Sequence, residues 1–169
     1  MQIKIDNNLE LRPTKKKIRE TLFNWLSKIW LNNFKDKYIL DLFSGSGSIG
    51  FEASYRGAAF VKMIDKNYIS ILKLRFLRNK MINNKIQIIL NDSMNEIKLT
   101  KNRFNLIILD PPFNQNLTER ILLYIHMLIN KNGLLYIESE FYPKLFNNFK
   151  IIKSVNFKNF YCSLYLFNR

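Results

Sequence analysis

The sequence has little cysteine, little histidine and no long apolar run. Among its 169 residues, Cys162 is the only cysteine and His126 the only histidine, which excludes an intramolecular disulfide and a metal site built from cysteines. No apolar stretch approaches the roughly 20 residues that cross a bilayer. The first ten residues lack the charged and then apolar pattern of a signal peptide. We therefore expect a soluble cytoplasmic protein without a membrane partner.

Acidic residues are scarce as well. The chain has 13 Asp and Glu against 27 Lys and Arg, which gives a net charge of +14. Such an excess of positive charge favours a polyanionic partner, most simply nucleic acid. Lysine supplies 19 of the 27 cations, and asparagine and isoleucine reach 22 residues each. These are residues of A/T-rich codons, so part of the charge reflects composition rather than function.

The chain has the size and composition of one domain. It shows no internal repeat and no linker rich in Pro, Gly or Ser, and its length suits a single compact unit. Apolar residues at helical spacing predict an amphipathic helix over Lys16–Asn32. We therefore expect one domain over residues 1–169, in which residues 1–35 form an N-terminal extension with this helix and residues 36–169 form the core.

Short apolar runs then alternate with segments of helical period. The predicted strands are Tyr38–Phe43, Phe60–Ile64, Ile86–Leu90, Phe104–Leu109 and Leu134–Ile137, followed by an antiparallel pair at Phe149–Val155 and Tyr161–Phe167. The predicted helices are Ser48–Arg56, Tyr68–Ile82 and Leu117–Ile129. We expect the last helix to stop at Asn130–Gly133, where glycine accepts a left-handed conformation. This alternation predicts an α/β fold with a parallel sheet and helices on both faces.

Four of the six aspartates end or directly follow a predicted strand. They are Asp41, Asp65, Asp92 and Asp110. Ligands of open α/β sheets bind at the carboxyl ends of the strands, so these carboxylates are expected to line one pocket for a ligand with cationic or polyhydroxyl groups. Helix capping is the alternative, because aspartate also favours loop-to-helix junctions. Capping explains one or two such positions better than four.

The first of these acids opens a glycine-rich loop. Residues Asp41–Gly50 read DLFSGSGSIG, in which the glycines bring backbone N–H groups against a ligand at a helix N-terminus. The glycines also match the dinucleotide fingerprint, with Asp65 placed 20 residues after Gly45, so a nicotinamide cofactor is an alternative. A carboxylate at Asp41 suits an ammonium group and opposes a pyrophosphate. This favours S-adenosylmethionine, which carries an ammonium group at one end and a ribose at the other.

The fourth strand is followed by Asp110–Phe113, which reads Asp-Pro-Pro-Phe. Pro111 and Pro112 have fixed φ angles and no N–H donors, so their carbonyls can point into a site without local competition. The Asp110 carboxylate and the Pro111 carbonyl make two acceptors suited to an exocyclic NH₂ group. Phe113 offers a flat apolar face for an extruded base. A rigid turn after a buried strand is the alternative, and the glycine-rich loop upstream favours the site.

These two loops resemble the class I S-adenosylmethionine-dependent methyltransferases that methylate exocyclic amines. Arg12–Thr14, Ile18–Leu26, Phe43–Ala53 and Tyr136–Glu140 closely resemble the RsmD family, whose members methylate the 2-amino group of a guanine in 16S ribosomal RNA. The resemblance covers essentially the whole chain. It implies a Rossmann-like class I methyltransferase fold: a mostly parallel seven-stranded sheet with a C-terminal antiparallel strand and helices on both faces.

Two segments depart from the family pattern. Lys15–Lys17 replaces a segment that usually contains a polar and an acidic residue. Asp65–Asn67 stands where the family more often has Glu followed by a second acid. The shorter carboxylate can still reach a ribose, with a shifted geometry. Neither departure touches the Asp-Pro-Pro-Phe loop.

The resemblance implies a role for each candidate site residue. The cofactor-binding positions are Asp41, Phe43, Gly45, Ser46, Gly47, Asp65, Lys66, Asp92, Ser93 and Asp110, and the catalytic positions are Asp110, Pro111, Pro112 and Phe113. Asp41 would lie near the ammonium group, Asp65 at the ribose hydroxyls and Asp92 at the adenine edge. Asp110 and the Pro111 carbonyl would hold the guanine amine in line with the methyl group. Positioning and electrostatics would then supply most of the rate, without a covalent intermediate or a metal.

Basic residues near the N-terminus are the candidates for phosphate contacts. They are Arg12, Lys15, Lys16, Lys17 and Arg19. The implied partner is 16S rRNA in the small ribosomal subunit or its assembly intermediate, bound by a monomer. The alternatives are an amine methyltransferase acting on DNA adenine or protein glutamine, and a catalytically silent RNA-binding assembly protein. A nicotinamide oxidoreductase is disfavoured because no second substrate domain is visible.

Overall fold

The computed structural model describes residues 15–81, 85–112, 115–140, 148–157 and 160–168. Helices and strands alternate along these ranges. The helices are α1 (Lys15–Ile29), α2 (Ser48–Tyr55), α3 (Tyr68–Asn79), α4 (Ser93–Leu99) and α5 (Gln115–Leu128). The strands are β1 (Tyr38–Asp41), β2 (Phe60–Asp65), β3 (Ile86–Leu90), β4 (Phe104–Leu109), β5 (Ile129–Ser139), β6 (Phe149–Asn156) and β7 (Tyr161–Phe167). None of the helices in these ranges combines the length and apolar character needed to cross a membrane.

The strands form one seven-stranded sheet in the order β3-β2-β1-β4-β5-β7-β6. Strands β1 to β5 pair in parallel, and β7 runs antiparallel to both β5 and β6. The predicted mostly parallel sheet with a C-terminal antiparallel strand is therefore confirmed. After β1 the chain builds outward to β2 and β3, and then returns to place β4 on the other side of β1. This reversal creates a crevice at the carboxyl ends of β1 and β4, where α/β sheets bind ligands.

Alternate residues of the central strands supply two separate cores. Ile39 of β1 belongs to a buried cluster that includes Leu22 of α1 and Leu74 of α3. Its neighbour Leu40 points to the opposite face and belongs to a cluster that includes Ile125 of α5. Both faces of the strands are apolar, as expected for a parallel sheet covered by helices on each side. The predicted placement of helices on both faces is confirmed.

The first helix is shorter than the predicted segment Lys16–Asn32. It ends at Ile29, because Leu31 and Asn32 adopt positive φ angles of 49° and 58° that a right-handed helix does not accept. The helix still presents the predicted apolar face, with Leu22 among its buried residues.

The last helix ends at Leu128, one residue before the predicted Ile129, but the expected left-handed glycine at Gly133 is wrong. The chain passes from α5 directly into β5 at Ile129, and Asn132, not Gly133, adopts the left-handed conformation, with φ of 57°. An added Cβ at Gly133 would lie 2.8 Å from the carbonyl oxygen of Asn130, so close backbone approach is what requires a glycine there. Strand β5 is consequently much longer than the predicted Leu134–Ile137.

Candidate active site

A cavity of about 610 Å³ lies at the carboxyl ends of the central strands. It collects residues that the sequence analysis proposed as one site, from the loops after β1, β2, β3 and β4. The predicted cofactor-binding and catalytic residues that line it are Asp41, Phe43, Gly45, Ser46, Asp65, Lys66, Asp92, Ser93, Asp110, Pro111 and Pro112. Phe113 lies outside the residues that the structure describes. The fold thus brings together residues that are up to 71 positions apart in the chain, counted from Asp41 to Pro112.

Asp65 connects the glycine-rich loop to the end of β2. Its Oδ2 atom accepts a hydrogen bond from the Gly45 N–H at 2.7 Å, and its Oδ1 atom accepts one from the Asn67 N–H at 2.8 Å. Gly45 has φ of 49°, a conformation that favours glycine. A carboxylate has about four acceptor positions, so these two bonds leave capacity for ribose hydroxyls. Asp65 therefore both shapes the loop and faces the cavity.

Gly47 does not line the cavity. It is buried at the start of α2 with φ of 75°, and an added Cβ would lie 2.7 Å from the Met63 Cε atom and closer still to the Leu74 side chain. Glycine at this position lets α2 begin against β2 and α3. Gly47 itself was predicted to approach the cofactor. In the structure it contributes to the site by positioning the neighbouring loop residues.

Asp41 is the most buried of the cavity acids, with 3% of its surface exposed. Its pKa is raised from 3.8 to about 7, mainly by burial and in addition by the nearby carboxylates of Asp110 and Asp65, against the opposing hydrogen bond from the Phe43 N–H. A cation bound beside Asp41 would reverse this shift. The pocket wall is therefore suited to an ammonium group and unsuited to a second anion.

Asp92 caps a helix as well as lining the cavity. Its Oδ1 atom accepts hydrogen bonds from the backbone N–H groups of Met94 at 2.9 Å and Asn95 at 3.4 Å, at the start of α4. Next to it, the Ser93 hydroxyl donates to the Leu42 carbonyl oxygen and ties α4 to the end of β1. Asp92 therefore caps a helix, which was the alternative prediction, and also lines the predicted pocket.

Helix α1 brings part of the basic segment to the same cavity. Lys15 and Arg19, four residues apart on one helix face, both line it. Lys16 does not line the cavity, and its Nζ atom lies 4.0 Å from the Oε1 atom of Glu20 on the exposed surface. The Lys17 ammonium lies 5.9 Å from the centre of the Phe157 ring. Arg12, the remaining candidate for phosphate contact, lies outside the described residues.

Glu138, which is not among the predicted site residues, also lines the cavity. It lies on β5 with 6% of its surface exposed, and its Oε1 atom accepts a hydrogen bond from the Tyr136 hydroxyl at 3.0 Å. Burial and the Glu138 carboxylate raise the pKa of Tyr136 well above its ordinary value, so the phenol keeps its proton and remains the donor. The available signal was an acid directly after an apolar strand segment.

The strand order, the antiparallel β7 and the cavity at the reversal point define a class I methyltransferase fold. Within that class, residues 1–166 match the family model described as Conserved hypothetical protein 95. The chain belongs to this family, which is the RsmD family that its motifs resemble.

Similar proteins agree with this assignment. Ribosomal RNA small subunit methyltransferase D of Buchnera aphidicola subsp. Acyrthosiphon pisum is 37% identical over 142 residues, which cover 82% of this chain and 72% of that protein. The protein of the same name from the Baizongia pistaciae subspecies is 34% identical over 171 residues, 98% of this chain and 86% of that one. Among solved structures, yhhF from Escherichia coli has a TM-score of 0.85 at 28% identity. The match covers 94% of this chain and 88% of the yhhF chain.

Proposed function

We propose that this protein transfers a methyl group from S-adenosylmethionine to the 2-amino group of a guanine in 16S rRNA. The observation that carries the proposal is the presence, in one cavity, of a buried carboxylate at Asp41 and an acceptor-rich loop at Asp110 and Pro111. Relatives of this chain named ribosomal RNA small subunit methyltransferase D support the substrate class.

The donor set of the cavity fits S-adenosylmethionine. Asp41, with its raised pKa, gains a partner when an ammonium group lies beside it. Asp65 has remaining acceptor positions for ribose hydroxyls, and Asp92 with Ser93 forms the wall assigned to the adenine edge. When bound, the cofactor supplies a methyl group on a sulfonium sulfur.

Asp110 and Pro111 act on the acceptor amine. The lone pair of an aryl amine is delocalised into its ring, and two acceptors that hold the N–H groups favour a pyramidal and more nucleophilic nitrogen. As the nitrogen gains positive charge, its proton becomes acidic and leaves to the Asp110 carboxylate or to water. Asp110 and Pro111 thus lower the barrier by positioning the amine and by stabilising its developing charge, the two effects that dominate catalysis in preorganised sites. From the sequence, Phe113 is assigned to stacking of the extruded base.

The proposed partner is 16S rRNA within the small ribosomal subunit or its assembly intermediate, bound by a monomer of this protein in the cytoplasm. The basic side chains of Lys15 and Arg19 stand at the cavity and suit the phosphates that flank the extruded base. The net charge of +14 agrees with a polyanionic partner.

The test combines rRNA mapping with cofactor binding. Cells with and without the gene are compared for N2-methylated guanines in 16S rRNA, and purified protein is titrated with S-adenosylmethionine and with NAD in a calorimeter. We expect one guanine to lose its modification, and micromolar binding of S-adenosylmethionine, about −8 kcal/mol. An unchanged rRNA map with transfer to DNA adenine or protein glutamine would support those substrates instead. Binding of NAD alone would refute the proposal.

The salt dependence of RNA binding should distinguish Lys15 from Lys16. Lys15 lines the cavity, whereas Lys16 lies beside Glu20 on the surface. Lys15→Ser should therefore lower the slope of log K against log salt by about 0.7–0.9, the value for one lost phosphate contact. Lys16→Ser is the matched control and should leave the slope unchanged. Equal slopes for the parent and both variants would show that Lys15 makes no phosphate contact.

A further inference from the structure

Glu138 is a buried acid on the cavity wall that the mechanism above does not use. It stands on β5, next to β4, which carries the Asp110 loop. Only 6% of its surface is exposed, which is rare for a glutamate. Such a residue calls for a reason beyond packing.

The sheet register places Glu138 beside Asp110. Leu109 pairs with Ile137 across β4 and β5, so Asp110 and Glu138 are the next residues along two neighbouring parallel strands. Ile108 and Tyr136, two positions earlier, belong to the same buried cluster on one face of the sheet. Side chains two residues apart on a strand share a face.

Asp41 extends this arrangement to a row of three acids. It pairs with Ile108 across β1 and β4, and Ile39, two positions before it, belongs to the same cluster. The row therefore runs from Asp41 on β1 through Asp110 at the end of β4 to Glu138 on β5. The cofactor candidates Asp65 and Asp92 follow β2 and β3, on the Asp41 side. Glu138 is thus at the opposite end of the cavity, beyond the acid assigned to the reacting amine.

The Glu138 carboxylate is held in one orientation. The Tyr136 hydroxyl donates to its Oε1 atom at 3.0 Å, and this phenol keeps its proton. A carboxylate has about four acceptor positions, so the bond from Tyr136 leaves others on the same group. The end of the cavity beyond Asp110 therefore carries a fixed acceptor and suits a base edge with a second N–H beside its amine.

Guanine has this pattern and the other bases do not. Its N1–H is adjacent to the 2-amino group, so this edge of the base presents a ring N–H donor and an amino donor side by side. Adenine and cytosine have an acceptor nitrogen next to their exocyclic amine, and an acceptor opposite a carboxylate would leave both groups unpaired. Leaving a buried polar group unpaired is among the strongest sources of discrimination in binding sites.

We propose that Glu138 accepts a hydrogen bond from the N1–H of the substrate guanine and so selects guanine over bases that carry an acceptor there. This rests on the proposed function, because it needs a base whose amine is held by Asp110. Glu138 is in this proposal a specificity residue that touches the substrate. The reaction at the amine stays with the Asp110 loop.

The test uses 2-aminopurine, which keeps the 2-amino group of guanine, lacks its O6 carbonyl and has an acceptor nitrogen in place of the N1–H. Small subunits are reconstituted with 16S rRNA that carries guanine or 2-aminopurine at the mapped position, and kcat/KM is measured for each. The parent protein should prefer guanine by at least about tenfold. In Glu138→Gln, whose amide N–H can donate to the 2-aminopurine nitrogen and whose oxygen can still accept from Tyr136, this preference should fall to about threefold or less, or invert.

A binding measurement supplies a readout that does not depend on methyl transfer. The fluorescence of 2-aminopurine changes when it leaves the base stack and enters a new environment, so its titration with protein and S-adenosylhomocysteine reports entry of the base into the cavity. Entry should be tighter for Glu138→Gln than for the parent, by roughly tenfold. Glu140→Gln, the same change at an exposed acid two residues further along, is the matched control and should leave both the preference and the fluorescence titration unchanged.

The outcomes separate this inference from the proposed function. If the parent protein methylates guanine and 2-aminopurine equally well, or if Glu138→Gln retains the parental preference, Glu138 does not select the base, whereas the methyltransferase assignment stands. If the parent methylates no guanine in the unmodified subunit, the proposed function itself fails and the role of Glu138 fails with it. Equal methylation of the two bases by the parent protein would overturn the role of Glu138 without any variant, so the proposal remains falsifiable should Glu138→Gln not fold.

Discussion

Replacing Asp110 by alanine should remove most of the methyl transfer while the cofactor still binds. We expect kcat to fall about 30-fold to 1,000-fold, equivalent to about 2–4 kcal/mol of transition-state stabilisation, with a smaller change in KM. The acceptor nitrogen gains positive charge as its bond to carbon forms, so its interaction with the Asp110 carboxylate strengthens in the transition state. An interaction of this kind appears in kcat rather than in ground-state binding.

Single-turnover transfer to the small subunit, at saturating S-adenosylmethionine, measures this chemical step. Asp110→Asn keeps one acceptor oxygen and should retain more activity than Asp110→Ala. Asp36→Ala, at an exposed aspartate between α1 and β1, is the control and should react at the parental rate. A thermal shift on adding the cofactor shows that each variant is folded and binds it. Parental activity in Asp110→Ala would mean that the loop is only a structural turn.

Much of the fold follows from local pattern. Strands β3 and β4 have the predicted bounds Ile86–Leu90 and Phe104–Leu109, because their apolar runs are long enough for a strand and too short for a helix. The sequence pattern does not predict helix α4. It spans seven residues and offers only Met94 and Ile97 as regularly spaced buried apolar residues, which is too few for a helical period to stand out. Its available signal was Asp92 as an N-cap.

The site could be predicted as far as topology determines it. Aspartates that follow parallel strands must meet at one edge of the sheet, and the cavity contains all four. The local partners of these aspartates, such as the Gly45 N–H that donates to Asp65, depend on loop geometry that the sequence pattern does not determine. Glu138 could not be predicted as a site residue, because an acid directly after the apolar run Leu134–Ile137 resembles the solvent-exposed end of a strand. Only the long β5 and its neighbours bury it.

The lysine-rich segment shows a similar limit. Composition treats Lys15, Lys16 and Lys17 as equivalent, whereas the helix directs them to the cavity, to Glu20 and to the Phe157 ring. Successive helical residues are about 100° apart around the axis, so three adjacent cations cannot share one face. A charge count predicts a partner, and the helical period decides which charges can reach it.

Replacing Asp41 by asparagine should make the cofactor-free protein more stable. The pKa of Asp41 is raised from 3.8 to about 7, first by burial and then by the carboxylates of Asp110 and Asp65. The folded state therefore holds a proton that the unfolded chain releases above pH 3.8, so the carboxyl group costs stability increasingly from about pH 4 to about pH 7. Three pKa units correspond to about 4 kcal/mol.

Because the amide in Asp41→Asn has no such proton to lose, the gain in free energy of unfolding should be small at pH 4, grow to at most about 4 kcal/mol near pH 7, and stay constant above it. Urea unfolding of the parent and Asp41→Asn across this range measures the difference. Asp36→Asn, at an exposed position, should show no such growth. A difference between Asp41→Asn and the parent that is flat with pH would mean that Asp41 has an ordinary pKa in the folded protein.

The same substitution should weaken S-adenosylmethionine binding by at least about 2 kcal/mol, roughly 30-fold, because an amide does not replace a carboxylate opposite an ammonium group. In the parent protein, binding the cation draws the Asp41 pKa down and releases its proton, so affinity should rise with pH from about 6 to 7.5. Calorimetry in buffers of different ionisation enthalpy should detect close to one proton released near pH 6, and none from Asp41→Asn. Equal proton release by both proteins would place the ammonium group away from Asp41. The two expected effects of this one change, a more stable fold and a weaker cofactor site, have a single cause: a carboxyl group kept in a buried position, beside two other acids, for the cation that we propose it binds.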